Sequence, residues 1–566
     1  MKVLIIGGVA GGATAAARLR RLDENAEIII LERGGFVSYA NCGLPYYVGG
    51  TIQHKKALTL QTPASFWRRF RVEVRVHNEV LAIHPQQKSV EIKCLDDGSV
   101  YTETYDKLIL SPGAKAVRPP LPGIDDARIF TLRTVEDTYR IKEYMDETSP
   151  ATAVVVGGGF IGLEMAENLV QAGVKTTLVQ LDNQVMLPLD YDMACEVHAY
   201  LRSQGVHLLL EQRVEGFAPQ NGTLQVRLAG GQALSADMVV LAIGVQPETQ
   251  LAKAAGLHLG GKEAIVVNEH MQTSAADIYA VGDAVEIRHF VTGQKTLVSL
   301  AGPANKQGRI AADNICGRRS TFNGAQGSSV IKLFSMTVAT TGINEKTAKA
   351  VGIVYDKVLN YTASHATYYP GATDMTIKTL FNPENGKILG AQIVGFEGVD
   401  KRIDVLATAI RAGMTAADLE ELDLAYAPPY SSAKDPVNMA GFTIENVRSG
   451  LVRQHHWHDV PALPRDGSVT LLDTRTEMEF ARGHIAGAVN IPLDELRDRL
   501  QELEQVKPVY VNCFSGLRSY IACRILTQNG FWCSNLSGGY RFYEYVAGDK
   551  AYDAAPTHPC GLKIEK

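Results

Sequence analysis

The sequence predicts an α/β fold in several domains, with two glycine-turn βαβ units in series at its core. Three observations carry this. A glycine-rich turn at Gly7–Gly12 sits between an apolar strand and a helix, and a second, at Gly157–Gly162, does the same. A third strand–loop–helix, near the C-terminus, holds Cys513 at its turn. At 566 residues the chain has room for about four domains.

Composition narrows the class. The chain is 46% apolar and 21% charged, with a net charge of −5 and no sustained basic block, so nucleic acid is not the expected partner. The eight cysteines, Cys42, Cys94, Cys195, Cys316, Cys513, Cys523, Cys533 and Cys560, show no C-x-x-C and no zinc spacing, so no metal is expected. Such usage suits a reducing cytoplasm.

The N-terminal MKVLIIGGVAGGATAAARLRR has features of an export signal, with one lysine, an apolar run and small residues. A strand at Val3–Ile6, the glycine turn, a helix carrying Arg18, Arg20 and Arg21, and the strand AEIIILE explain the same residues as one βαβ unit. No apolar stretch is long enough to span a bilayer. In GGVAGG, Val9 replaces the second glycine of the usual spacing. The helix N-terminus still offers N–H groups to a pyrophosphate, and Glu32 can accept from ribose hydroxyls.

The second unit, AVVVGGGFIGLEMAENLVQAG, has the full spacing: Gly157, Gly159 and Gly162. The next strand, KTTLVQL, places Gln180 where an acidic residue would read a 2′-hydroxyl. No Lys or Arg stands between Gln180 and Leu189, and Asp182 is the nearest carboxylate, so NADH is favoured over NADPH. Two dinucleotide folds in series point to a flavin and a nicotinamide exchanging a hydride. YDKLILSPGA adds Gly113, and ADMVVLAIGVQPE adds Gly244. DIYAVGDA sets Asp283 after a strand, at an expected helix start where a flavin ribitol chain can lie.

SYANCGLPYY holds a single cysteine, Cys42; the partner of a C-x-x-x-x-C pair would fall at Tyr47. Residues 1–445 resemble the flavoprotein disulfide reductases with two dinucleotide-binding domains, and among them the coenzyme A disulfide reductases. The stretches that carry the resemblance are GGVAGGATAAARLRRL, SYANCGLPYY, HATYYPGA, GVDKRIDV and LAYAPPYSSAKDPVN. It implies FAD, NAD(P)H and coenzyme A (CoA), and a mixed disulfide of Cys42 with CoA in place of an internal disulfide. It also implies two Rossmann-like domains. The FAD-binding domain is expected at 1–113 and 245–322, and the NAD(H)-binding domain at 114–244. An α+β dimerisation domain, at 323–445, would build a symmetric homodimer.

For FAD the resemblance implies Gly7, Gly8, Ala10, Gly11, Gly12, Glu32, Arg33, Asn41, Val80, Pro112, Gly113, Arg133, Asp283 and Ala301. For the nicotinamide cofactor it implies Gly157, Gly159, Phe160, Ile161, Gly162, Gln180 and Gly244. Arg18 and Arg21 stand at i, i+3 on one helix face, and FWRRFR adds Arg68, Arg69 and Arg71; by themselves these read as solvated charges. The resemblance implies CoA contacts at Arg18, Arg21, Ser38, Asn41, Arg69, Asn305 and Lys434. It implies that Tyr368 and Tyr426 serve the partner's active site. NADH oxidases and peroxidases, whose cysteine cycles through sulfenic acid, are a competing class. They carry a His in the first glycine loop, where this sequence has Ala10. A flavoprotein redox sensor without turnover is a third reading.

Residues 446–464, with His455, His456 and His458, read as a linker into a final α/β domain at 465–566. There CFSGLR runs from Cys513 to Arg518. The turn's N–H groups, the following helix and the Arg518 charge should favour a sulfur anion on Cys513. With Asp473, Arg475, GHIAGAVNIP and LSGGY, this segment resembles a rhodanese domain. Related phosphatases use a loop one residue longer, so six residues point to sulfur. Cys523 and Cys533 read as core. The combination resembles NADH-dependent persulfide or polysulfide reductases.

Overall fold

Parallel strands covered on both faces need continuous apolar runs, and that is how these strands are built. In the computed structural model, which describes residues 1–550, Val3, Leu4 and Ile5 are wholly buried and Ile28–Leu31 nearly so. Cys560 lies outside the described residues. Contacts divide the chain into two units: residues 1–179 with 212–327, and residues 180–211 with 328 onward.

The first unit holds both dinucleotide folds. One parallel sheet runs in the order Ile278–Ala280, Lys107–Leu110, Lys2–Ile6, Glu27–Leu31, Glu73–Arg75. The other contains Lys175–Val179, Thr152–Val156, Met238–Leu241 and Ile129–Thr131, again parallel. Each first strand feeds a helix through its glycine turn, Ala10–Leu22 and Phe160–Gln171. Asp283 departs from the expected helix start. It lies in a turn that leads into the strand Val285–Arg288, which pairs with Ile265–Val266, and the helix Ala301–Ile315 begins only later.

The second unit contains an antiparallel sheet in the order Ser329–Leu333, Met336–Gly342, Ile388–Gly395, Asp374–Phe381, Asp356–Ala363. A smaller parallel sheet follows: Gln454–His455, Cys533–Leu536, Val509–Asn512, Thr470–Asp473, Val489–Asn490. The stretch 446–464 is therefore more than a linker, because Gln454 and His455 supply an edge strand. Residues 180–211, expected within the nucleotide-binding domain, group with this unit. Their helix, Tyr191–Ser203, is buried along Tyr191–His198, and its polar side chains find partners in the second unit.

Those partners form two clusters. Lys378, wholly buried, sits 3.0 Å from Asp190, 2.8 Å from Asp192 and 2.5 Å from Glu345. Lys357 adds a second cation, 2.8 Å from Glu345, and the indole N–H of Trp457 donates to Asp192 at 3.2 Å. In the other cluster Asp549 accepts from Tyr191 at 2.9 Å and from Arg202 at 2.6 Å, and lies 3.0 Å from Nδ1 of His198. Asp549 belongs to the last described helix, Gly539–Lys550. Cys195, His198 and Asp549 lie close enough together to ligate a metal ion. Hydrogen bonds already occupy His198, whose Nε2 accepts from the Val185 N–H at 3.1 Å.

Removing one member of a buried ion cluster leaves the others uncompensated, which typically costs about 3–5 kcal/mol. Lys378→Met should therefore lower stability by about that amount, read as an earlier denaturant midpoint for the second unit. An unchanged midpoint would contradict the role given to this ammonium.

Candidate active sites

The two glycine turns are tight for a steric reason. A Cβ on Gly12 would stand 2.0 Å from the Gly7 carbonyl oxygen, and one on Gly162 would stand 1.9 Å from that of Gly157. Neither following helix has a side-chain cap, so the first-turn N–H groups remain available to an anion. Open space lies over the α-carbon of Gly159, where backbone can approach a pyrophosphate. Glu32 accepts from the N–H of Gly8 and of Gly34, both at 2.9 Å, which fixes its carboxylate beside the first turn. Burial pushes its pKa up. These donors and the placed carboxylate fit a dinucleotide at each turn. Gln180, the residue after Lys175–Val179, donates its amide to Asp182 at 3.0 Å.

Several of the expected flavin residues lie against one another. Gly7 packs against Ser111 and Pro112, Gly113 approaches the Arg133 guanidinium, and Arg133 pairs with Asp283 at 2.6 Å. Arg33 is exposed and paired with Glu248 at 2.8 Å, and Val80 is buried. Ala10 and Gly11 open the first helix, and Ala301 opens the helix that also carries Asn305. Phe160 and Ile161 open the second nucleotide helix, and Gly244 turns the chain after Met238–Leu241 with φ of +105°.

Cys42 lies in the short turn Asn41–Gly43, before the helical turn Leu44–Val48. Ser38 ties this loop to the first glycine turn. It adopts left-handed φ of +48°, donates its N–H to Gly8 at 2.8 Å and accepts from Leu60 at 3.0 Å. Cys42 is exposed as a residue, yet desolvation of its sulfur pushes the thiol pKa up. The Glu164 carboxylate raises it further, Arg133 opposes this and Asp283 adds to it. The chain's own groups thus disfavour the thiolate. Tyr47, at the position of a second cysteine, is buried and packs edge-on against Tyr139, with ring centres 6.0 Å apart.

The expected CoA contacts fall in both units. Arg21 is exposed at the end of its helix. Arg18 is held by Asp313 at 2.7 Å, so its charge is already matched. Arg20 points inward, where its guanidinium caps backbone carbonyls of Phe70, Asp23, Glu24, Ala26 and Arg71. Arg69 is exposed on the helix Pro63–Phe70, and Asn305 accepts from Thr14 at 2.8 Å. In the second unit Lys434 is exposed ahead of the helix Pro436–Arg448. Tyr368 and Tyr426 meet there, hydroxyl to hydroxyl at 2.8 Å, both exposed.

Cys513 ends the strand Val509–Asn512 and is fully buried. Its sulfur accepts from the Gly516 N–H at 3.1 Å and from the Ser519 hydroxyl at 3.2 Å. Its carbonyl accepts from Tyr540 at 2.7 Å, and that of Phe514 accepts from Arg541 at 3.1 Å, which pins the loop to the start of the helix Gly539–Lys550. Arg518, expected to add a fixed charge to the loop, grips Glu479 with two bonds of 2.8 and 2.7 Å. That pairing brings the Glu479 pKa down to about 2. Asp473 and Arg475 pair at 2.7 Å. Cys523 and Cys533 are buried together, the Cys533 thiol donating to the Cys523 carbonyl at 3.4 Å.

Sequence reasoning missed Glu164 and Glu479. Burial and the neighbouring Glu167 push the Glu164 pKa up to about 7. The only signal for Glu164 was its place in the helix that follows the second glycine turn. Glu479 was legible as a helix cap from its T-x-x-E spacing after Thr476, but not as the partner of Arg518.

The pyridine nucleotide-disulphide oxidoreductase model matches residues 1–308, the dimerisation domain of the same family matches 328–436, and a rhodanese-like domain matches 457–544. An NADH oxidase of Methanocaldococcus jannaschii is 37% identical over 78% of this chain and 98% of its own length. A coenzyme A disulfide reductase of Staphylococcus aureus is 34% identical over 78% of this chain and 99% of its own. Among solved structures, reduced CoADR-RHD of Bacillus anthracis shares 50% identity with a TM-score of 0.95, covering 97% of this chain and 98% of that one. A NAD-dependent persulfide reductase from A. fulgidus shares 39% identity with a TM-score of 0.90, covering 96% and 100%. On these matches this chain belongs to the pyridine nucleotide-disulphide oxidoreductase family and carries a C-terminal rhodanese-like domain.

Proposed function

We propose that the chain is a CoA disulfide or persulfide reductase that uses FAD and NAD(P)H, NADH by preference, with Cys513 handling sulfane sulfur. It acts as a homodimer through the matched dimerisation domain. The observation that carries this reading is the isolation of Cys42: the pair position is a buried, packed tyrosine, so a disulfide at Cys42 needs a thiol from a small molecule. Cys42 attacks one sulfur of the substrate S–S bond, forms a mixed disulfide and releases the other sulfur as a thiolate. The first glycine turn and Glu32 would hold the flavin and the second turn the nicotinamide, which when bound would supply the electron pair needed to cleave this bond. Arg133 offsets negative charge near Cys42, while Glu164 opposes it. The exposed hydroxyl pair of Tyr368 and Tyr426 is offered to a partner subunit, where a phenol can protonate a leaving thiolate.

Three measurements test this reading. Cys42→Ser should abolish NADH-dependent reduction of CoA disulfide and CoA persulfide while leaving the flavin bound; near-wild-type turnover would sink the assignment. Arg21→Ala should raise KM for CoA disulfide by about threefold to tenfold with little change in kcat, because an exposed phosphate contact is modest. A fall in kcat alone would instead mark a structural role for Arg21.

The third concerns pH. Glu164 is largely neutral below about 7 and charged above it. When charged, it disfavours the adjacent Cys42 thiolate. In the substrate-free holoenzyme, Glu164→Gln should speed iodoacetamide alkylation of Cys42 by about threefold to tenfold at pH 8. The ratio to wild type should approach one at pH 6. A ratio that does not change with pH would show that Glu164 does not act on Cys42 through its charge.

A further inference from the structure

Each guanidinium around the Cys513 loop is matched by a carboxylate. Arg518 is bound twice by Glu479, and Arg475 is bound by Asp473 and lies 4.0 Å over the Tyr540 ring. Arg541, whose backbone holds Phe514, is paired with Glu196 at 3.0 Å and stacks 3.9 Å over Tyr361. The loop therefore presents backbone and hydroxyl donors to sulfur but little net positive charge. Its accessible rim is apolar, with Phe514, Leu517 and Ile521 exposed and Phe514 edge-on to Tyr361.

We propose that Glu479 sets the donor specificity of Cys513, so that the loop takes sulfane sulfur from a hydropersulfide on an uncharged organic arm and discriminates against the thiosulfate dianion. The inference rests on the reading of Cys513 as a sulfur carrier and deepens it. The Cys513 thiolate attacks the outer sulfur of R–S–SH, a bond forms from Cys513 to that sulfur, and the original S–S bond breaks. Cys513–S⁻ and R–S–SH thus give Cys513–S–SH and RS⁻, with no net transfer of electrons. Thiosulfate brings two negative charges to the loop and leaves as sulfite. It needs an uncompensated cation, and Arg518 is not one. The uncharged pantetheine arm of CoA fits the apolar rim, with the nucleotide phosphates remote from the reacting sulfur.

The test uses the full-length holoenzyme without NADH and follows the gain of one sulfur on the Cys513 peptide by mass spectrometry. The probes are pantetheine hydropersulfide and thiosulfate at equal concentration. Wild type should load from the hydropersulfide at least about tenfold faster, a factor in keeping with the loss of one compensating cation. Glu479→Gln retains a helix-capping side chain but frees Arg518. It should raise loading from thiosulfate by about tenfold and alter loading from the hydropersulfide by less than about twofold. A readout without mutation is salt: wild-type loading from thiosulfate should vary little with ionic strength, and in Glu479→Gln it should fall as salt rises. Equal wild-type rates from both donors, or thiosulfate loading that Glu479→Gln leaves unchanged, would overturn the specificity role while leaving Cys513 as a carrier. Loading from neither donor would overturn the carrier reading itself, and the proposal with it.

Discussion

The second unit is organised around one buried ammonium. Lys378 has no access to water, and three carboxylates, Asp190, Asp192 and Glu345, close around it. Such a charge is tolerated only with its partners in place. The three come from two distant places in the sequence: Asp190 and Asp192 from the start of the helix Tyr191–Ser203, and Glu345 from the helix Glu345–Val351. Trp457, at the start of the rhodanese-like match, adds its N–H to Asp192. The antiparallel sheet, the inserted 180–211 segment and the C-terminal domain therefore share one electrostatic centre. Burial raises the Asp190 pKa to about 6, while the two lysines hold that of Glu345 well down.

The two sulfur sites solve opposite problems. Cys42 is exposed, in a loop whose nearest charges include carboxylates, which would suit the nucleophile proposed above. Cys513 is buried in a cradle of donors, which would suit the sulfur carrier proposed above. Exposure governs access at the first site, and hydrogen bonding governs retention at the second.

Much of this was legible because local chemistry dictated it. Gly12 and Gly162 each stand against the carbonyl of the glycine that opens their turn, so the spacing along the chain is a direct record of a steric contact. The strand AEIIILE and its Glu32 were readable for the same reason, as was the strand–loop–helix around Cys513. What escaped was set by residues far apart in sequence. Arg18 looked free until Asp313, in a distant helix, took its charge, and Arg518 looked free until Glu479 did. Periodicity shows which face of a helix is polar, but not which carboxylate will meet it. The burial of Glu164 belongs to the same class, since a carboxyl in the middle of a helix gives no local sign of its desolvation. The change of character after Arg448 was visible, but not that two residues of the apparent linker would join a sheet.

That last detail bears on how such a chain can be divided. Gln454 and His455 cover one side of Cys533–Leu536, and without them that strand becomes a bare edge. A boundary drawn at the end of the apparent linker, near residue 465, cuts between the sheet and its own border. It would leave an open row of backbone donors and acceptors ready to recruit another chain. A fragment meant to stand alone must begin ahead of Gln454, so the working border of the rhodanese-like domain lies in residues whose composition resembles a tether.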